Sequence, residues 1–355
     1  MVFATIWGIF RILFLRPRVI VSGNDMTGPL KYEPRMARVY EWLRDKRISY
    51  INLIHAAPHG NVVRRWFRRE EPVIYLEVLE YLGTLSWFFR VSGASYLWAI
   101  DDYRHWPRVI LAAQRAKLRT TLFQHGRFNK HQFQENFFGY SLDSIPVPDC
   151  YVVWNKFWQR RLLDLSNVFL RNPEAVRVGG RPSQGGTTGS PLKVKNSPPA
   201  VLFIHEEIAS PGQVASYLDA MLSKARIKVF YKIRPDLPIN QQTSRIPQEI
   251  LIHERFEIVT DIPNDISLAV GSYSTLLYEL IERGMPIGVL RMDSTQADDL
   301  VEEGLAVFLD PKETDIGEQI RRAAEVSGDE LKRRVSLLRV TVRIEDTLAQ
   351  LFSRQ

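Results

Sequence analysis

Two hydrophobic periods alternate along the chain, and each change of period marks an element. Met36 to Lys46 carries apolar residues at helical spacing, and Ser49 to Ile54 is a short apolar run that predicts a buried strand ending near His55 and His59. Tyr96 to Ile100 predicts another strand, closed by Asp101 and Asp102. Trp106 to Lys117 has helical spacing with Pro107 in its first turn, and Thr120 to Phe123 predicts a strand that runs into Gln124, His125 and Gly126. Cys150 to Trp154 reads as a strand with a helix behind it. The alternation resumes with strands at Val201–Ile204, Lys228–Ile233, Phe256–Val259, Ser267–Val270 and Pro286–Leu290. Helices are predicted at Val214–Lys224 and Thr275–Arg283, with a terminal helical region from Asp315 to Phe352. Helices and strands in this order fold into parallel sheets covered on both faces, and ligands of such sheets gather at the carboxyl ends of the strands.

The clearest break is Ser183 to Pro199, SQGGTTGSPLKVKNSPP, which is rich in Gly, Ser, Thr and Pro and has too few large apolar residues to fold alone. It divides the chain into an N-terminal α/β domain over residues 19–182 and a C-terminal α/β domain over residues 200–355 that carries the terminal helices, with a cleft expected between them. A length of 355 residues suits two domains better than one core. Hydrophobic residues at 45% and charged residues at 25% exclude a disordered or polytopic membrane chain.

Charge and the N-terminus add a partner. Lys and Arg exceed Asp and Glu by 47 to 40, a net +7 that suits an anionic partner. Residues 1–18 open with an apolar run, Val2 to Leu15, closed by Arg16, Pro17 and Arg18. As a helix the run reaches roughly 21 Å, too short to span a bilayer. Either it packs on the protein, or it lies in a membrane interface with the arginines on anionic headgroups. The cluster Arg64, Arg65, Trp66, Phe67, Arg68 and Arg69 combines apolar and cationic groups in the same way, although a solvated helix face beside Glu70 and Glu71 has the same composition. Basic residues are scattered and aromatic residues follow core periodicity, which argues against nucleic acid. With Cys150 as the single cysteine, no intrachain disulfide or cysteine-rich metal site can form, and a reducing compartment is the natural reading.

Candidate chemistry falls at the predicted strand ends. His125 can take a proton from a hydroxyl or donate to a phosphate oxygen near neutral pH. Asp101 and Asp102 are rival bases, and the same two residues suit capping of the helix that begins near Trp106. Gly271, Ser272, Tyr273, Ser274 and Thr275 open a helix whose unpaired N–H groups and hydroxyls suit a phosphate, and Ser and Thr are also ordinary helix caps. Lys232 and Arg234 point to one face of their strand end and can neutralise phosphates without metal. His205, with Glu206 and Glu207, ends the first strand of the C-terminal half.

Three segments, LWAIDDYRHWPRVILAAQRAKLRTTLFQHGRF, IPVPDCYVVWNKFWQRRL and DISLAVGSYSTLLYELIERGMPIGVL, taken in this order across the linker, resemble the bacterial surface-polysaccharide glycosyltransferases of the GT-B type. Related families are the CDP-glycerol glycerophosphotransferases, the polysialyltransferases and the Kdo transferases of capsule and lipopolysaccharide. The resemblance spans Tyr96 to Asp310. It implies two Rossmann-like domains facing each other across a cleft, the N-terminal one holding the acceptor and the C-terminal one the nucleotide-sugar donor. It also implies terminal helices that return toward the N-terminal half, and a glutamate, Glu279, on the nucleotide ribose. No cofactor and no metal are implied. The partners are a CMP-, UDP- or GDP-sugar, a glycan or lipid-linked glycan acceptor such as O-antigen or capsule, and the anionic inner face of the bacterial membrane. Where several relatives carry His-Pro after the second strand of the C-terminal half, this chain has Arg234 and Pro235, which keeps the positive charge and removes the proton-transfer group. CDP-alditol phosphotransfer and a non-catalytic basic scaffold are the alternative functions.

Overall fold

Thirteen parallel strands among the described residues form two separate sheets. In the computed structural model the described residues are 16–22, 36–54, 73–75, 79–80, 83–101, 106–128, 145–182, 200–234, 238–293, 295–312 and 315–353. The N-terminal run, Asp102, His55, His59, His105, His131, the Arg64–Arg69 cluster and the linker 183–199 lie outside them.

The first sheet contains β1 (Val19–Ser22), β2 (Tyr50–Ile54), β3 (Val73–Tyr75), β4 (Tyr96–Ile100), β5 (Arg119–Phe123), β6 (Cys150–Val153) and β7 (Val176–Val178). The second contains β8 (Ala200–Ile204), β9 (Lys228–Lys232), β10 (Phe256–Val259), β11 (Leu268–Gly271), β12 (Ile287–Leu290) and β13 (Val307–Leu309). Their orders are 3-2-1-4-5-6-7 and 10-9-8-11-12-13. Counted from its own first strand, the second sheet therefore also reads 3-2-1-4-5-6, the Rossmann order, and each sheet reverses direction beside its first strand. In sheets of this order ligands bind beside the first strand, at the carboxyl ends of the strands.

The central strands form because they are almost wholly apolar, as a strand covered on both faces must be. YLWAI, CYVV, AVLFI and LAVG are buried throughout. Helix starts follow ordinary capping chemistry: Asn155 Oδ1 accepts from Trp158 N–H at 3.1 Å, Ser210 Oγ from Gln213 N–H at 3.3 Å, and Asp315 Oδ1 from Glu318 N–H at 2.8 Å.

The chain divides into two compact units, Met1–Gly185 with Val340–Gln355, and Gly186–Arg339. The terminal helical region is three helices, Ile316–Ala324, Gly328–Leu338 and Ile344–Ser353. The third belongs to the first unit, where Ile344 and Leu348 are fully buried with Val19, Trp42, Trp98 and Val152. Thr347 Oγ1 donates to the Gly179 carbonyl at 3.0 Å. Gly180, at φ +85°, lets the chain pass against the Val342 carbonyl where a side chain has no room.

Candidate functional site

At the carboxyl edge of the first sheet the structure joins two of the predicted residues. Asp101 follows β4 and His125 follows β5. Asp101 is buried, with one carboxylate oxygen accepting the backbone N–H of His125 and the other accepting the Tyr151 hydroxyl at 2.6 Å. Its own N–H donates to the Phe123 carbonyl at 3.0 Å. The carboxylate therefore fixes the backbone that carries His125, whose ring is half-buried. Gln124 pins the same turn from the other side: its Oε1 accepts from Trp154 N–H at 2.9 Å and its Nε2 donates to the Gly126 carbonyl at 2.7 Å. The indole N–H of Trp154 donates to the Gln124 carbonyl at 3.0 Å, and the Arg181 guanidinium lies over the Trp154 ring at 4.2 Å.

In the second sheet the predicted residues surround the switch point between β8 and β11. His205, Glu206 and Glu207 leave β8 in three directions. The His205 ring is buried, with Nδ1 at 2.8 Å from the Tyr231 hydroxyl. The Glu206 backbone N–H also reaches that phenol oxygen. Burial above all pushes the His205 pKa down; Arg234 and Arg245 push the same way and Glu207 opposes them. Burial, reinforced by the Glu206 charge, also pushes the Tyr231 phenol up.

Glu206 points inward. Its Oε1 accepts the Ser272 N–H at 2.6 Å and its Oε2 accepts the Ser272 hydroxyl, and both residues are buried. A Cβ on Gly271 would lie 2.9 Å from Glu206 Oε1, so glycine is what lets the carboxylate reach the turn. Ser272 thus braces β11 against β8, while Ser274, Thr275 and Glu279 are half-buried beyond it. Ser274 Oγ accepts from Leu276 N–H at 3.3 Å, and Thr275, at the start of the Leu276–Glu282 helix, makes no side-chain capping bond.

Glu207 points outward and meets Arg234, Nη1 to Oε2 at 2.6 Å, in an exposed pair worth about 0–1 kcal/mol. A phosphate can displace so weak a partner. Arg245 donates to the carbonyls of Glu207 and Ala209, the latter at 2.7 Å, and Lys232 Nζ donates to the Ile233 carbonyl at 2.7 Å. The Tyr273 hydroxyl accepts the Glu207 N–H at 2.9 Å; burial pushes its ionisation up to about 12, with the Glu206 and Glu207 charges adding to the rise. Among the described residues no group of three or more His, Cys, Asp and Glu side chains is placed to hold a metal ion.

Sequence reasoning passed over Tyr231, Arg245, Gln124 and Tyr151 as site residues, and it left Glu206 between a donor contact and a surface turn. Glu206 was visible as a charged residue behind the apolar run AVLFI. The tyrosines have the same pattern as core aromatics, and nothing in the sequence around Arg245 points to the turn it grips.

The buried His205 makes one prediction here. In the folded chain its pKa is depressed, so between that value and the ordinary one of about 6.5 the unfolded state binds more protons. The stability this gives is complete above about pH 6.5 and is lost as pH falls toward the lowered value. A His205→Gln variant should lose less stability than the wild type between about pH 7 and pH 5 in thermal unfolding. Equal losses would mean that the ring ionises freely in the fold.

No protein-family model matches the chain, and no curated protein sequence does. Solved structures resemble it along nearly its whole length. UDP-GlcNAc 2-epimerase from Neisseria meningitidis, bound to UDP-GlcNAc, is 11% identical with a TM-score of 0.57, covering 95% of this chain and 99% of the epimerase. The glycotransferase of kitacinnamycin is 10% identical with a TM-score of 0.56, covering 95% of this chain and 99% of its own. HepE of Anabaena, in complex with UDP and glucose, is 12% identical with a TM-score of 0.53, covering 95% of this chain and 100% of its own. The chain has the GT-B fold, two Rossmann-like domains of the kind found in these nucleotide-sugar proteins.

Proposed function

We propose that this chain is a glycosyltransferase that moves a sugar from a nucleotide-activated donor to a growing bacterial cell-surface glycan. The observation that carries the reading is the polar turn at the β8–β11 switch point, where Glu207 joins Arg234 and Tyr273 and Glu206 joins Ser272 in a sheet of Rossmann order, with Ser274, Thr275 and Glu279 next along the chain. Similar structures that hold UDP with glucose, or UDP-GlcNAc, support a nucleotide-sugar as donor. In this reading the donor diphosphate displaces Glu207 from Arg234, Glu279 holds the ribose, and His205 stands at the end of β8 beside them. His125 in the first domain is the base for the acceptor hydroxyl. The cationic side chains stabilise the departing nucleotide, and no metal takes part.

Thermal-shift measurements with CMP, UDP, GDP and CDP-glycerol test the reading, because a ligand that binds only the native state raises its stability by mass action. A nucleoside diphosphate that stabilises the protein supports sugar transfer, CDP-glycerol favours alditol phosphotransfer, and no stabilisation by any of them overturns both. Glu279→Ala should then weaken nucleotide binding by roughly 1–3 kcal/mol, the range for a hydrogen bond to a charged group. Unchanged affinity in calorimetry removes Glu279 from the site. Because the fold also carries a UDP-GlcNAc 2-epimerase, product analysis with labelled UDP-sugars must find label on an acceptor rather than an epimerised donor.

The proposal places the enzyme in the cytoplasm, on the inner face of the membrane, where a lipid-linked acceptor grows. No helix among the described residues is long and apolar enough to cross a membrane. Attachment therefore falls in this reading to the apolar run Val2 to Leu15 with its arginines and to the Arg64–Arg69 cluster. Flotation of the protein with anionic vesicles at low salt is the measurement that decides it.

A further inference from the structure

The amino-terminal edge of the first sheet, opposite the edge that carries His125, holds a cavity of about 460 Å³. Arg18, immediately before β1, and Lys46 and Arg47, immediately after the Ala37–Asp45 helix, supply its charge. Trp42 and Phe352 supply its apolar wall, with ring centroids 5.9 Å apart. The Arg18 guanidinium stands over the Phe352 ring at 4.6 Å, and the Arg18 N–H donates to Ser49 Oγ at 3.2 Å, which ties the two strand ends together. All three cations are exposed, and among the described residues none of them has a carboxylate partner.

The helix ends by geometry rather than by charge pairing. Arg47 N–H donates to the Arg44 carbonyl and Ile48 N–H to the Leu43 carbonyl, both at 2.9 Å, with Arg47 at φ +52° in the position that glycine usually takes. The last helical carbonyls, the negative end of the helix, are thus closed off within the backbone, and the side chains of Lys46 and Arg47 are left to face solvent and cavity. Lys117 and Arg226 occupy the same left-handed kind of position elsewhere, so the turn alone singles out nothing. What sets Arg47 apart is the cavity it shares with two further cations and two aromatic rings.

We propose that this cavity is a second binding site, for a phosphate group carried on an apolar body, with Arg18, Lys46 and Arg47 on the phosphate and Trp42 and Phe352 against the body. A phospholipid headgroup and a soluble phosphate ester share that chemistry. The site is separate from the proposed nucleotide site, which lies in the other unit, so its failure leaves the transferase reading standing.

The test uses the full chain and the double variant Lys46→Gln, Arg47→Gly. Glycine meets the left-handed backbone without strain, so the variant should unfold at or above the wild-type temperature. Two probes are titrated: glycerol 3-phosphate in solution, by calorimetry, and mixed phosphatidylglycerol–phosphatidylcholine vesicles, by sedimentation against vesicles of phosphatidylcholine alone. Loss of two cations near an anionic surface should weaken vesicle binding by about thirty-fold, since each contributes roughly a five-fold factor. If glycerol 3-phosphate binds and the variant weakens it, the site takes a soluble ester. If only the anionic vesicles bind and the variant weakens that binding, the ligand is the lipid headgroup. The proposal is overturned if neither probe binds the wild type, or if the folded variant binds both as tightly as the wild type does.

Discussion

Replacing His125 by alanine should lower turnover by about 10²–10⁴ while leaving donor affinity and the unfolding temperature nearly unchanged, the signature of a lost general base. The structure separates this residue from Asp101 by what each one touches. His125 presents a half-buried ring at the end of β5, and its backbone is already held by Asp101 and by the Gln124 turn. Removing the ring leaves those backbone bonds in place. Asp101 is buried and accepts both the His125 N–H and the Tyr151 hydroxyl. An Asp101→Ala change leaves those two donors without their acceptor, a loss of roughly 1–3 kcal/mol for each buried group left unsatisfied. Asp101→Ala should accordingly lose stability and activity together, and Tyr151→Phe should reproduce a part of the stability loss alone. Measured side by side, a fully active His125→Ala enzyme with an inactive but equally stable Asp101→Ala enzyme would transfer the base to the carboxylate.

Those contacts also show why some of the molecule could be read from its sequence and some could not. Strands such as AVLFI and YLWAI announce themselves because both faces are covered and nearly every position is apolar. β1, VIVS, sits in the middle of the first sheet and was not recognised as a strand, since four residues behind Arg16, Pro17 and Arg18 carry no periodicity. The three-residue strands β3, β7 and β13 are too short to show any. The terminal region reads as one helical stretch because its polar and apolar spacing continues across the break at Ser327, whose hydroxyl caps a new helix by accepting from Glu330 N–H at 3.2 Å.

At the candidate site, sequence order and strand adjacency part company. His125, Asp101, Arg234 and Ser272 were legible because each follows an apolar run that must be a strand. Their pairings were not. Glu206 meets Ser272 across 66 positions, and Tyr151 meets Asp101 across 50. Each of these pairs bridges strands whose adjacency follows from crossover topology, β8 beside β11 and β4 one strand away from β6, and local pattern carries none of that information. Ser272 is the clearest case: its residue type suggested a phosphate contact, and its amide and hydroxyl are both held by a buried carboxylate.

The largest effect on stability is expected from Leu348→Ala, far from either candidate site. The helix Ile344–Ser353 is the last in the chain, yet its inner face completes the core of the first unit. Leu348 is fully buried among Trp42, Trp98 and Val152, and Phe352, one turn on, stacks on Tyr96 with centroids 5.5 Å apart. The seat is tight: a Cβ on Gly179, beside this helix, would fall 2.6 Å from Val152 Cγ1 and 2.7 Å from Thr347 Cγ2. Walls this closely packed cannot collapse fully into the space left by a leucine side chain, so the lost transfer energy and the residual cavity add, at about 2–5 kcal/mol. Because two units need not unfold together, the loss should be read from amide hydrogen exchange rather than from a single midpoint. Amides of β1 and β4 should lose protection by that amount while those of β8 and β11 keep theirs. Less than about 1 kcal/mol at β1 and β4 would mean that the terminal helix rests on the first unit without being part of its core.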